Sequence, residues 1–275
     1  MNRWQPRLIA VDLDGTLLSS HSRLSAVTRR AIHSAREAGI RVVPCSGRHF
    51  PGTRAIALQA GMGDLIIAGN GAQVRTLSGD VLFQRLLDPA PCLELFRIAE
   101  KWGAACNLYA DDQIFSQTPN RVLDYYRRLN HRLPVSCRCV CHLVDSLPRE
   151  IQRREKGLLK MELLPVPPEA VPAVRALEEQ RPDVLLEGNL CTSVEMHASG
   201  VDKGVGLQVA AAHYGISLLD TLAFGDAEND VPLLKTAFVG AAMGNAVDAA
   251  RAAADLIVPD NDHHGVARTI RKYVF

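Results

Sequence analysis

The sequence predicts an α/β fold: a doubly wound, mostly parallel, Rossmann-like sheet core with an α+β module inserted into it. Two observations carry this. Short apolar segments at residues 8–11, 40–44, 64–68 and 221–224 are interleaved with helix-like segments, and each runs into a polar, glycine-containing loop. That rhythm lapses between about residues 83 and 190, where prolines are frequent and strands no longer end in such loops. In open α/β sheets, ligands sit beyond the carboxyl ends of the strands, where polar loops gather.

The first segment, Leu8 to Val11, reads as a buried strand that leads into Asp12-Leu13-Asp14-Gly15-Thr16. Alternation along an extended chain predicts that Asp12 and Asp14 project to the same side. Residues 25–38 place Ala26, Ala31, Ile32 and Ala35 at helical spacing, and Gly39 follows as a stop. A strand over 40–44 then ends in Cys45-Ser46-Gly47-Arg48, so the first three elements form a parallel crossover. A second unit on the same plan has a helix over 53–61 and a strand over 64–68 that ends in Gly69-Asn70-Gly71-Ala72.

Inside the insert, helices are predicted over 93–102 and 121–129, and strands over 104–109, 113–115, 159–164 and 184–186. Core character is expected to resume at 191–196. Asp202-Lys203-Gly204 then opens a helix through Tyr214, a strand over 221–224 ends in Gly225-Asp226-Ala227-Glu228-Asn229-Asp230, and strands over 238–243 and 254–258 close the sheet. The predicted organisation is therefore residues 1–82 and 191–275 as core and 83–190 as insert.

Composition narrows the function. Lys and Arg number 31 against 30 Asp and Glu, so net charge gives no pull toward nucleic acid or an anionic membrane, and neither is expected as a partner. Seven cysteines, an odd number in a chain too large to need staples, fit reduced thiols in a cytoplasm. Asp12 cuts short the first apolar run, and no stretch of about eighteen apolar residues follows, so neither a signal peptide nor a membrane span is expected.

The chemistry lies in the loops. Asp12 with Asp14, Ser46 with Arg48, Lys203, and Asp226 with Asp230 should meet on one sheet edge. Up to four carboxylates against one lysine suit a hard divalent cation, with Mg2+ as the expected cofactor. A hydroxyl, an ammonium and the N–H groups of a tight loop suit phosphate oxygens.

Taken in order, Asp-Leu-Asp-Gly-Thr, Ser-Gly-Arg, a lone Lys before a helix and Gly-Asp-x-x-Asn-Asp resemble the four motifs of the haloacid dehalogenase-like superfamily. The insert between the second and third motifs resembles that of Cof-type sugar-phosphate phosphatases with a C2 cap, and Asn70-Gly71-Ala72, Ala242-Met243-Gly244-Asn245-Ala246 and Gly265-Val266-Ala267 extend the match. The resemblance implies a phosphatase acting on small phosphorylated metabolites through an aspartyl-phosphate. Asp12 would be the nucleophile and Asp14 the general acid and base. The metal would be held by Asp12, Asp14 (through its main-chain carbonyl) and Asp226, with Asp230 in support. Ser46 and Lys203 would hold the phosphoryl group, while Gly47, Arg48, Asn70 and Asn229 fall on the substrate side. The insert would act as a lid, and the protein would be a monomer or small homo-oligomer.

Two competing functions share these features, a phosphosugar mutase of the same superfamily and a non-catalytic phosphometabolite-binding protein. There are also two departures. His263-His264 stand before Gly265, where the family usually has an acidic residue, and alternation would put Cys137, Cys139 and Cys141 on one strand face, where small buried thiols are expected rather than a metal site.

Overall fold

The computed structural model describes residues 4–131, 133–189 and 192–274. Strand β1 (Leu8–Val11) is followed by helix α1 (Ala26–Glu37), β2 (Arg41–Pro44), α2 (Phe50–Ala60) and β3 (Leu65–Ala68). Ser25 caps α1 by accepting the N–H of Thr28, and Gly39 adopts a φ of +85° just past its end, as the glycine stop requires. A hairpin, β4 (Gln73–Thr76) and β5 (Val81–Gln84), completes the first segment.

The chain divides into two units, with the junctions between Gln84 and Arg85 and between Gly200 and Val201. The second unit holds α3 (Pro89–Trp102), β6 (Ala105–Ala110), β7 (Gln113–Ser116), α4 (Arg121–Asn130), β8 (Val140–Leu143), α5 (Leu147–Gln152), β9 (Lys160–Leu164), α6 (Val171–Gln180), β10 (Val184–Asn189) and β11 (Ser193–Ala198). The first unit resumes with α7 (Lys203–Tyr214), β12 (Thr221–Gly225), α8 (Val231–Thr236), β13 (Val239–Ala242), α9 (Asp248–Ala253), β14 (Leu256–Ile257) and α10 (Gly265–Val274).

In the first unit five parallel strands run in the order β14-β13-β12-β1-β2. Successive residues of β1 serve opposite layers. Ile9 and Val11 pack with Ile32 of α1 and Ile270 of α10, while Leu8 and Ala10 pack with Leu207 and Ala210 of α7. That alternation of fully buried residues makes the sheet doubly wound. The second crossover is parallel where Cys45, just after β2, bridges Ile67 of β3, and β3 also forms an antiparallel ladder with β4 in a separate three-stranded sheet.

The second unit is a six-stranded sheet in the order β10-β11-β9-β6-β7-β8, antiparallel except for β7 with β8. One face is apolar, where Leu108, Met161 and Met196 pack with Leu95 of α3, Ile151 of α5 and Val174 of α6. The strand expected to restart the core at 191–196 belongs here: Val194, Glu195 and Met196 pair antiparallel with Leu163, Glu162 and Met161. Cys191 itself lies outside the described residues. The three thiols do not share a strand face, because residues 135–137 form a 3₁₀ turn and β8 begins only at Val140. Cys137 and Cys139 are buried. Among the described residues no helix is long and apolar enough to cross a membrane.

Candidate active site

The Asp12 N–H donates to the Phe224 carbonyl at 3.1 Å, the last tie of this segment to the sheet. The chain then turns, with the Leu17 and Leu18 N–H groups returning to the carbonyls of Asp12 and Leu13. Alternation therefore stops at the strand end, and the two carboxylates meet different partners. The Asp12 carboxylate is buried among other acids, whereas the half-exposed Asp14 takes a two-pronged ion pair from Arg48, Nε at 2.6 Å and Nη2 at 2.7 Å. Gly15, between them and Thr16, has a φ of +83°, and a Cβ there would stand 2.2 Å from Asp226 Oδ2, so only glycine fits.

Lys203 opens α7 behind its Asp202 cap, with its side chain 1% exposed. Its Nζ donates to Asp12 Oδ1 at 2.7 Å and to Asp230 Oδ1 at 2.6 Å. Asp230 is fully buried, and its Oδ2 accepts the N–H groups of Asp226 (2.9 Å) and Ala227 (3.0 Å), which closes the turn after β12. Asp226 Oδ1 accepts the Thr16 hydroxyl at 2.6 Å. Each of Asp12, Asp226 and Asp230 offers an oxygen within 4.8 Å of the other two.

One ammonium does not balance three gathered carboxylates. Burial, and then the neighbouring Asp230 charge, hold Asp12 well above the ordinary carboxylate range although Lys203 opposes them. Asp226 is pushed up to about 6, chiefly by burial, against the Thr16 hydrogen bond. Burial works against the Lys203 charge, but Asp12 and Asp230 outweigh it, and the ammonium is held well above its usual range. A divalent cation would relieve the surplus of negative charge, and hard oxygen donors suit Mg2+ or a similar ion.

The hydrogen bonds distinguish among the candidate ligands. Asp12 Oδ2 and Asp226 Oδ2 have no hydrogen-bond partner among the described residues, so each can turn to a cation. Both oxygens of Asp230 are already engaged by Lys203 and the turn, which makes it the residue that fixes the geometry. The Asp14 carboxylate is absent from the cluster because Arg48 holds it.

The substrate-side residues form a second ring of contacts. Ser46 is buried, and its Oγ accepts the Arg48 N–H at 3.2 Å. A Cβ on Gly47 would stand 2.7 Å from Asn70 Oδ1, so this glycine lets two loops approach. Asn70, at a φ of +54°, accepts Asn229 Nδ2 at 3.1 Å. Three contributors lay outside the sequence reading. Thr16 is the Asp226 partner, Asn245 donates to the Gly15 carbonyl at 2.9 Å, and the Asn261 N–H donates to Asn245 Oδ1 at 3.2 Å. Thr16 and Asn245 lie in quoted motifs, so their signal was present. Before Gly265, where the acidic residue usual in the family is missing, the loop still makes polar contacts through Asn261. His263 pairs with Asp260, and His264 meets Ser25 Oγ at 3.3 Å.

A parallel sheet whose carboxyl edge carries three acids around a buried ammonium defines an α/β protein with a cation-competent acidic centre. Comparison with known proteins makes the class specific: residues 9–270 match the haloacid dehalogenase-like hydrolase family, and the chain belongs to it. It is 27% identical over 275 residues to 5-amino-6-(5-phospho-D-ribitylamino)uracil phosphatase YcsE of Bacillus subtilis, covering 98% of this chain and 96% of that one. It is 28% identical over 251 residues to an HMP-PP phosphatase of Yersinia pseudotuberculosis, covering 88% and 85%. Among solved structures, a haloacid dehalogenase-like hydrolase from Bacteroides thetaiotaomicron superposes with a TM-score of 0.84 at 25% identity, over 98% and 99% of the two chains.

Proposed function

We propose that this protein is a Mg2+-dependent phosphatase of small phosphorylated metabolites that works through a phosphorylated Asp12. The observation that carries the proposal is Asp12 itself, buried, with one oxygen held by Lys203 and the other without a hydrogen-bond partner among the described residues. The curated relatives named above are both phosphatases of phosphorylated small molecules. The cytoplasm is the setting we infer, from the odd cysteine count.

One carboxylate oxygen of Asp12 attacks phosphorus and the bond to the leaving oxygen breaks, while Asp14 supplies the proton that makes the leaving group an alcohol. Asp14 then takes a proton from water as that water attacks the phosphorylated Asp12, which releases phosphate and restores the carboxylate. The Lys203 ammonium and the Ser46 hydroxyl hold phosphoryl oxygens as charge moves across them. Gly47, Asn70 and Asn229 shape the rim. Asp12, Asp226 and the Asp14 main-chain carbonyl would hold Mg2+, with Asp230 fixing the cluster. When bound, the ion supplies charge neutralisation between Asp12 and the incoming phosphate.

A phosphate-release screen over a panel of phosphometabolites, with and without Mg2+, tests the proposal. Activity is expected only with the metal, and Asp12→Asn should abolish it while leaving the thermal unfolding midpoint within a few degrees. Wild-type activity in Asp12→Asn would show that another group is the nucleophile.

A further inference from the structure

Asp14 sits in the turn beyond β1 with its side chain 50% exposed, a place where an untethered carboxylate samples several rotamers. Proton transfer needs it in one place. Both its oxygens are engaged by the planar fork of Arg48, at 2.6 and 2.7 Å. Arg48 is itself anchored, with a side chain only 12% exposed. Its N–H donates to Ser46 Oγ at 3.2 Å, and its carbonyl accepts the Gly69 N–H at 2.8 Å and the Thr53 hydroxyl at 3.3 Å.

We propose that Arg48 is a positioning residue that aims Asp14 during proton transfer, in place of the substrate contact its sequence position suggests. The inference rests on the phosphatase reading above. In the first half-reaction the proton leaves one Asp14 oxygen for the departing alkoxide, and the other oxygen keeps one arm of the fork. In the second half-reaction the carboxylate, held by both arms, takes a proton from water. Arg48 stays protonated throughout, so it steadies the carboxyl group without competing for the proton in transit. A lysine could not do the same, because a point charge lacks the two fixed donors that set the plane of the carboxylate.

The test is a leaving-group series of phosphate esters: 4-nitrophenyl, phenyl and benzyl phosphate. 4-Nitrophenolate departs without protonation, whereas the benzyl alkoxide requires a proton. In the wild-type protein kcat/KM should vary little along the series. In Arg48→Gln it should fall at least tenfold more for benzyl than for 4-nitrophenyl phosphate, and Arg48→Lys should show the same trend in smaller measure. Placing Arg48→Gln in an Asp14→Asn background should add no further leaving-group dependence, since the group being aimed is gone. Equal losses across the series, the mark of a residue that only binds phosphate or only supports the fold, would overturn the proposal. Undiminished dependence on Arg48 in the Asp14→Asn background would do the same. A wild-type protein that releases no phosphate from any ester would overturn the phosphatase reading together with this one.

Discussion

Replacing Lys203 with Met removes the cation from the site and nearly preserves volume, so the effect reports charge more than packing. The ammonium is 1% exposed and makes contacts of 2.7 and 2.6 Å to two buried carboxylates. Charge-assisted hydrogen bonds contribute about 1.5–3 kcal/mol each, and removing one partner of a buried ion pair costs about 3–5 kcal/mol. We expect Lys203→Met to lose about 3–5 kcal/mol at pH 8 in EDTA, measured by urea unfolding followed by circular dichroism. The loss should shrink on acidification. Asp12 is already held above its ordinary 3.8 by burial and Asp230, against the pull of Lys203, and removing Lys203 raises it further. A carboxyl group raised on folding stabilises most below its unfolded value, and that contribution is lost as pH rises through the folded value. The deficit at pH 5 should therefore be smaller than at pH 8, and Mg2+ should narrow it at pH 8 by supplying positive charge. An unchanged unfolding midpoint at pH 8, or a deficit that grows toward pH 5, would refute the reasoning.

Three further outcomes follow from the same cluster. Asp226 must lose its proton to ligate, and its value of about 6 predicts that Mg2+ affinity, read by calorimetry, weakens below pH 6 by up to about tenfold per pH unit. Gly15→Ala combines a φ of +83° with a Cβ 2.2 Å from Asp226 Oδ2. It should cost about 1–3 kcal/mol in unfolding and remove most phosphate release, and an active variant would show that the turn can move. Thr16→Val deletes the 2.6 Å hydrogen bond to Asp226, so Mg2+ affinity should fall about 10–100-fold while saturating Mg2+ restores much of the rate.

The fold was legible because strand ends and helix starts carry strong local signals. Strands of four or five residues stop at Asp12, Cys45, Gly69 and Asp226, and Ser25 and Asp202 cap α1 and α7 with their own side chains. The gathering of Asp12, Asp226 and Asp230 followed from topology, since all three lie at or beyond the carboxyl ends of parallel strands, whereas Lys203 arrives with the start of α7, after the antiparallel β11. The Arg48 pairing of Asp14 was not legible, because period-two alternation describes a strand and the strand ends at Val11. The commitment of both Asp230 oxygens depends on the turn of its own loop closing on it, which residue identities do not reveal. The second junction was misread for a related reason. Val194, Met196 and Ala198 alternate like any half-buried strand, and periodicity does not say which sheet a strand joins. The same ambiguity hid the antiparallel partner of β3, since nothing in residues 65–68 distinguishes the two pairings.

The place of β1 has a consequence for biosynthesis. It lies between β2, which follows closely in the chain, and β12, whose register begins with Leu8 against Thr221, so roughly 210 residues separate Val11 from the start of its second neighbour. At about 5–20 residues per second, a ribosome needs on the order of 10–40 s to make that stretch. Through that interval the nascent amino-terminal segment carries an all-apolar strand with one open edge, the kind of surface that pairs with other chains. Asp12 also emerges long before Lys203, Asp226 and Asp230, so the centre assembles only after the carboxyl-terminal half has been translated. Expression of residues 1–84 alone should give aggregated material, and the yield of whole protein should depend on chaperones that shield β1 until β12 arrives.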